Sequence, residues 1–172
     1  MATREIVNIK VVYLVDENPD TSFLGEYTDE YDPCYFDCEG GKMLRTLERD
    51  KDYEIPSKGQ DYRFFKPYAG GEEPGTPRYV RYGKQDLDRM EGLSRGLWHF
   101  LGIRADAVVK LGDGDLCQKI TSGGLWGVES DSDPCHFKEV EDDEFSALRR
   151  ELIAAGFSEE QIDAVEVDGR EG

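Results

Sequence analysis

The sequence lacks several signatures that would assign a chemistry directly. It has no run of 18 apolar residues, so no transmembrane helix is expected. Neither a phosphate loop, GxxxxGK followed by Ser or Thr, nor the dinucleotide loop GxGxxG occurs. There are two histidines and four cysteines, and no two cysteines have the C-x2-C spacing common in structural zinc sites. We therefore expect no nucleotide, dinucleotide or other cofactor.

Basic residues are the second shortage. The 172 residues include 38 acids and 21 bases, a net charge of −17. Residues 1–41 carry a net charge of −8, residues 42–127 carry +2, and residues 128–172 carry −11. Because such a chain repels the phosphates of DNA and RNA, its charge disfavours direct binding to nucleic acid. It favours basic protein surfaces, including those that normally hold nucleic acid.

Alternating apolar residues predict strands. In residues 5–15 (EIVNIKVVYLV) one alternating set is wholly apolar, which predicts a strand with one buried face. That set is Val7, Ile9, Val11, Tyr13 and Val15. Because polar residues interrupt this run, we interpret it as a strand and not as a signal peptide. The expected compartment is therefore the cytoplasm, where cysteines are expected to be reduced.

The middle of the chain is rich in aromatic and basic residues. YRFFKPY (62–68) and RYVRY (78–82) are predicted to be short strands, separated by the loop AGGEEPGTP. Bases interleave with the rings, a pattern that also fits a stacking strip for nucleic acid, although the net charge disfavours that function. The segments IRADAVVKL and LCQKI, which follow residue 102, are predicted to form a hairpin.

Two segments have helical periodicity. Residues 84–102 repeat Leu87, Met90, Leu93, Leu97 and Leu101, and residues 141–155 are amphipathic. Ser158 and Gln161 have the capping-box spacing that begins a short last helix. Together these elements predict an α+β fold in which a small mixed or antiparallel sheet is packed by two main helices. We expect one domain over residues 1–165 and a disordered tail over 166–172.

The stretch ITSGGLWGVESDSD (residues 120–133) is the most unusual in the chain. Three glycines surround one tryptophan, and three acids follow at every second position. We predict a wide turn anchored by Trp126 on the core, in which Gly123, Gly124 and Gly127 supply backbone freedom.

Two patterns raise the question of a metal. Acids at positions 1, 3, 9 and 12 of a window from Asp131 imitate a calcium loop, but position 6 is His136 where an EF-hand requires glycine. A zinc site has one possible ligand set, Cys34, Cys38, Cys135 and His136. Adjacent residues such as Cys135 and His136 rarely bind one metal together, which weighs against this site. A small zinc-binding or hydrolytic protein is therefore the alternative interpretation and not the leading one.

No catalytic residue is predicted. Nucleophilic catalysis by Cys or Ser needs a histidine beside the nucleophile, and only His99 and His136 exist. His99 lies away from the leucine face of its predicted helix, and paired carboxylates cannot be selected among 38 acids. We therefore expect a protein that is not an enzyme.

The acids of the last third are the candidate binding residues. An acidic row can imitate the phosphates of nucleic acid and occupy a basic groove. The alternative is that these charges only keep a small protein in solution. The predicted partner-binding residues are Glu129, Asp131, Asp133, Glu139, Glu141, Asp142, Asp143 and Glu144.

Residues 79–157 resemble uncharacterised proteins from phages and mobile elements. YVRYGKQDLDRMEGLSRGLWHFLG, EVEDDEFSALRRELIAAGF and, most specifically, ITSGGLWGVESDSD carry the resemblance. It implies a bacterial cytoplasm and no activity that can be assigned to particular residues. In charge and size the chain is similar to DNA mimics that inhibit host defence nucleases. The leading hypothesis is therefore a phage-encoded inhibitor that binds a nucleic-acid-binding host complex; an accessory phage structural protein is the remaining alternative.

Overall fold

The structure, a computed structural model, describes residues 4–37, 42–43, 63–112 and 116–171. The contacts divide the chain into two compact units where the sequence predicted a single domain. The first unit comprises Met1–Pro19 and Trp98–Gly172, and the second comprises Asp20–Leu97. Among the described residues, no helix combines the length and the apolar character that crossing a bilayer requires.

Nine strands and three helices occur within the described residues. The strands are β1 (Arg4–Val15), β2 (Gly25–Thr28), β3 (Phe36–Asp37), β4 (Lys42–Met43), β5 (Phe64–Pro67), β6 (Phe100–Leu111), β7 (Cys117–Thr121), β8 (Leu125–Glu129) and β9 (Val167–Glu171). The helices are α1 (Pro77–Ser94), α2 (Pro134–Ala154) and α3 (Glu159–Asp163). The α+β class predicted from the sequence is confirmed, with the two long helices packed on two different sheets.

The first unit is built on a mixed five-stranded sheet. Its order is β7-β6-β1-β9, and β8 also pairs with β6. The central pair, β1 and β6, is antiparallel over the full length of both strands, whereas β9 runs parallel to β1. Residues 167–171, which the sequence placed in a disordered tail, thus form an edge strand, because their backbone pairs with the free side of β1.

A bulge in β1 changes which residues of this strand are buried. The register with β6 shifts between Ile6 and Asn8, so the alternation of inward and outward side chains is reversed there. Ile6 is buried together with Ile9 and Val11, whereas Val7 is 48% exposed. The sequence prediction of one continuous buried face that begins at Val7 is therefore wrong before the bulge, and it is also wrong for the exposed Val15.

Helices α2 and α3 cover one face of this sheet. Val140, Leu148 and Leu152 of α2 pack with the odd-numbered side chains of β1 and β6, and Ile162 of α3 joins them. Helix α2 begins seven residues before the predicted start, because Asp133 accepts a hydrogen bond from the Cys135 amide and Pro134 occupies the first turn. The predicted capping box of α3 is present in both of its hydrogen bonds.

The second unit has a four-stranded sheet of order β2-β5-β3-β4, in which all pairs are antiparallel. Phe36, Phe64 and Phe65 of this sheet are buried. Gly83 of α1 permits close approach of the helix to the sheet, because a methyl group there would lie 2.7 Å from the Phe36 ring and 2.8 Å from Pro67. In the described part of the aromatic segment 62–82, Tyr79 is buried as well, whereas Tyr68 is 54% exposed.

Helix α1 corrects two sequence predictions. The segment RYVRY is helical, not a strand, because Thr76 caps a helix that begins at Pro77. The helix also ends at Ser94, before the predicted end at residue 102. Gly96 has φ +69°, a left-handed conformation that suits a helix end, and Leu97 beyond it is 76% exposed.

Replacing Thr76→Ala is expected to destabilise the start of α1. The Thr76 hydroxyl oxygen accepts the Tyr79 amide at 3.2 Å, and loss of such a cap costs about 1 kcal/mol. Thr76→Ser keeps the hydroxyl oxygen, so its free energy of unfolding should lie within a few tenths of about 1 kcal/mol of the wild-type value. Urea unfolding followed by circular dichroism compares the two variants, and equal losses for both would contradict the capping role.

Candidate functional site

The stretch ITSGGLWGVESDSD forms an interrupted edge strand and the turn into α2. Both β7 and β8 run antiparallel to β6, β7 along residues 106–110 and β8 along residues 100–103. Between them, Gly123 and Gly124 have φ +92° and +93°, which side chains other than glycine rarely adopt. The glycine pair therefore makes a break within one edge strand.

Helix α2 holds this break in place through Glu144. One carboxylate oxygen of Glu144 accepts the Ser122 hydroxyl at 2.5 Å and the Gly124 amide at 3.1 Å. Ser122 is itself bound to β6, because its amide donates to the Ala105 carbonyl and its hydroxyl oxygen accepts the Ala105 amide, both at 2.9 Å. A helix, a loop and a central strand thus meet at a single carboxylate.

Trp126 lies against the backbone of β6. A side chain at Gly102 would overlap the Trp126 ring, so this glycine provides the space on which the ring rests. The ring is 47% exposed and is not folded into the core, in contrast to the sequence prediction. Gly127, with φ +80°, lies within β8 next to it. No sequence pattern indicates this role of Gly102, because only the pairing of β6 with β8 brings it under the ring.

The eight predicted binding acids do not form one outward row. Glu144 binds the break in the edge strand, and Glu141 accepts a hydrogen bond from the Tyr13 hydroxyl. Asp133 caps α2 through the Cys135 amide at 2.8 Å. Glu129 is half-buried, whereas Asp131 in the turn is exposed. At least three of the eight acids therefore have roles within the fold.

The remaining three acids, Glu139, Asp142 and Asp143, are exposed on the outer side of α2. Their spacing of three and four residues places them next to one another on the helix. Asp142 also pairs with Lys138 at 3.1 Å in an exposed ion pair, which is worth little energetically. We call Glu139, Asp142 and Asp143 the acidic helical surface.

Charge in the first unit is divided between its two layers. The unit contains 21 acids and nine bases. Residues 129–166, which include α2 and α3, contain 13 acids and three bases. The five strands of the sheet contain six bases and five acids, of which Glu129 is also counted in that range. The helical layer therefore carries most of the negative charge, and the strands have a small positive excess.

The sheet face opposite α2 carries a cluster of bases around a buried acid. Asp106 is 1% exposed and forms ion pairs with Arg104 at 2.9 Å and Lys119 at 2.5 Å. Lys10 is the cross-strand neighbour of Asp106 on β1. Trp126 lies on the same face, because it contacts Gly102, an even-numbered position of β6 like Arg104 and Asp106. We call the surface formed by Arg104, Asp106, Lys119 and Trp126 the basic sheet face.

Among the residues that the structure describes, the predicted metal ligands are not brought together. No group of three or more His, Cys, Asp or Glu side chains there could hold a metal ion. Of the predicted zinc ligands, Cys34 is half-buried in the second unit, Cys135 and His136 are exposed at the start of α2, and Cys38 lies outside the described residues. The calcium window cannot wrap around an ion, because residues 134–142 are helical.

In the second unit, burial raises the pKa values of Tyr79 and Asp86. Burial, together with the nearby Cys34, Tyr35, Asp32 and Asp86, raises the pKa of Tyr79 to about 12. Burial also raises the pKa of Asp86, against the hydrogen bond that the Ala69 amide donates at 2.7 Å. Since Ala69 has φ +52°, this bond supports a strained turn, which is a structural role.

Comparison with protein-family models, with curated proteins and with solved structures finds no match to this chain. The chief features of the described residues are the acidic helical surface, the basic sheet face and the exposed Trp126.

Glu144 and Asp143 are adjacent acids with different contacts, and the structure predicts different stabilities for their variants. Glu144→Ala leaves the Ser122 hydroxyl and the Gly124 amide without this partner, which should cost about 1–3 kcal/mol. Asp143→Ala removes an exposed side chain and should change the free energy of unfolding by less than about 0.5 kcal/mol. Urea unfolding measures both, and similar values would contradict the role of Glu144.

Replacing Gly102→Ala should displace Trp126 and destabilise the first unit. Overpacking of this kind costs about 1–3 kcal/mol. In a background that already carries Trp126→Ala, the same change should cost much less, because the overlap is gone. A double-mutant cycle on the free energy of unfolding measures this coupling, and additive effects would refute the contact.

Proposed function

We propose that this protein is a non-enzymatic interaction protein whose helical layer binds a basic surface of another protein. The observation that carries the proposal is the excess of ten acids over bases in residues 129–166. Within that layer, Glu139, Asp142 and Asp143 are presented outward on one side of a 21-residue helix. Since their neighbours on the helix pack onto the sheet, these three carboxylates are held at fixed spacing.

Electrostatic complementarity explains what such a surface would do. Aligned charges of one sign accelerate encounter with an oppositely charged partner and oppose partners of the same sign. The best complement is a surface that already binds a polyanion, because it presents rows of Lys and Arg. The proposed partner is therefore a nucleic-acid-binding protein, and the bound chain would exclude nucleic acid from it.

The narrower proposal concerns biological context. The resemblance of residues 79–157 to phage and mobile-element proteins, together with the charge, suggests an inhibitor of a nucleic-acid-binding defence complex in the cytoplasm of a bacterial host. In that setting, the acids would act by imitating phosphates. This narrower proposal rests on the sequence, whereas the acidic helical surface is the structural support for the broader one.

The test is retention of partners from a bacterial lysate on the immobilised protein. Binding should occur at about 0.1 M salt and be lost at about 1 M, where the Debye length falls from about 10 Å to about 3 Å. The variant Glu139→Gln, Asp142→Asn, Asp143→Asn should lose the same proteins, because it removes three adjacent charges. Added double-stranded DNA should compete with the wild type for them.

A matched control changes the same number of charges elsewhere. Asp29→Asn, Glu30→Gln and Glu73→Gln alter three exposed acids of the second unit. This control should keep the retained proteins. The proposal fails if retention is indifferent to salt, or if the control and the α2 variant lose the same proteins equally.

A further inference from the structure

We propose that β9 is a C-terminal strap, which opens and closes on β1 while the rest of the first unit stays folded. A row of alternating charges, Asp168, Lys10 and Asp106, holds the strap closed. Opening uncovers one backbone side of β1, the second strand from this edge of the sheet. The inference concerns β9 and β1, so it goes beyond the proposed binding by the acidic helical surface.

The base of the strap is firmly attached to the first unit. In α3, Ile162 is 1% exposed within the core, and Asp163 forms an ion pair with Arg149 of α2. Val165, two residues before β9, still packs against the same apolar cluster as Ile162. The hinge of the strap therefore lies between Val165 and Val167, and α3 stays in place when β9 opens.

The strap itself has little apolar anchorage. Val167, its first residue, is 38% exposed, and Asp168 is exposed as well. Its register with β1 shifts within the strand, whereas β1 and β6 pair over their full length. Parallel pairing is also slightly less stable per residue than antiparallel pairing. Since segments with few buried apolar contacts open at a low cost in free energy, β9 should open far more often than the central strands.

Charge pairing between neighbouring strands supplies the attachment that apolar contacts do not. Lys10 of β1 is in register with Asp106 of β6 on one side and with Asp168 of β9 on the other. Within the described strands of the first unit, Glu5 and Lys110 are a further register pair of opposite charge. Opposite charges on neighbouring strands stabilise their pairing, and like charges destabilise it. A slip of β9 by one residue would move Asp168 to the other face, so the row also fixes the register.

The row of charges is more exposed at β9 than at its inner end. Asp106 is buried and is also paired with Arg104 and Lys119, whereas Asp168 is exposed. Lys10 is half-buried between the two acids. Because exposed ion pairs contribute little, the closed strap is favoured by a small margin that one charge can change. Such a margin suits an element that opens and closes.

Opening of the strap changes which backbone groups the sheet presents. Hydrogen-bonding groups along a strand are shared between its two neighbours, so some of those at residues 9–12 lose their partners when β9 leaves. A row of unpaired amides and carbonyls is a template for pairing with another strand. The closed strap keeps this row paired, while the same residues of β1 remain bonded to β6.

Native-state hydrogen exchange of the full chain, resolved by residue with NMR, tests the strap. Amides of β9 and the β1 amides that bond to β9 should exchange at similar rates, which low concentrations of urea barely change. The β1 amides that bond to β6 should exchange at least about 100-fold more slowly and accelerate steeply with urea, since they require global unfolding. Equal rates and equal urea dependence for the two sets of β1 amides would overturn the proposal.

Substitutions in the charge row test what holds the strap closed. Asp168→Asn should raise the exchange rate of β9 about two- to fivefold and leave the β6 amides unchanged. Glu166→Gln is the matched control, because it removes one exposed acid just before β9, and it should leave both rates unchanged. In a chain that carries Lys10→Gln, the change at Asp168 should no longer affect β9, because its cross-strand partner is absent.

Circular dichroism establishes that each variant is folded, and the comparison of Asp168→Asn with Glu166→Gln decides the question even without the Lys10 variant. Equal effects of these two substitutions would overturn the role of the charge row. An Asp168→Asn effect that persists in full beside Lys10→Gln would also overturn it. The exchange rates do not depend on the acidic helical surface, so failure of the strap and failure of the proposed function are distinguishable.

Discussion

The packing of α2 and α3 on one face of the five-stranded sheet determines both charged surfaces of the first unit. Side chains alternate between the two faces of a strand and repeat every 3.6 residues on a helix. Once Val140, Leu148 and Leu152 are buried against odd-numbered residues of β1 and β6, Glu139, Asp142 and Asp143 must point outward. The even-numbered residues of β6, including Arg104 and Asp106, must then lie on the opposite face. This apolar layer therefore separates the outward acids of α2 from the charged residues on the far face of β6.

Elements whose signals are local could be predicted from the sequence. The strands β1, β5 and β7, the amphipathic α2 and the capping box at Ser158 all depend on residues that are close in sequence. The start of α1 was also marked locally, by Thr76 before Pro77, but the aromatic pattern of RYVRY was given more weight. The tail was misplaced because β9 depends on pairing with β1, more than 150 residues earlier.

The candidate site was only partly predictable, because it depends on contacts between distant segments. Asp143 and Glu144 have the same charge and are adjacent, yet one is exposed and the other binds Ser122 and Gly124. Helical periodicity places Glu144 on the side of Leu148, four residues further on, but its partners are defined only by the position of the edge strand. The same holds for Gly102, whose importance depends on Trp126 lying above it. The acidity of residues 129–144 was evident from the sequence. Which of these acids bind within the fold and which point outward was not.

The break at Gly123 and Gly124 changes what the edge strand can do. A long, regular edge would present unpaired amides and carbonyls to any other strand, which promotes edge-to-edge aggregation. The left-handed glycines, held by Glu144, interrupt that row while keeping β7 and β8 on β6. The edge is therefore divided into two five-residue strands and is not one continuous row.

The buried Asp106 gives the basic sheet face its rigidity. Two cations without it would repel each other and move independently, and ordering them during binding would cost conformational entropy. With Asp106 between them, Arg104 and Lys119 are held at 2.9 and 2.5 Å. A buried ion pair is weak evidence of stability, since hydrophobic replacements are often as stable. The two pairs therefore explain the positions of the Arg104 and Lys119 side chains better than they explain the stability of the sheet.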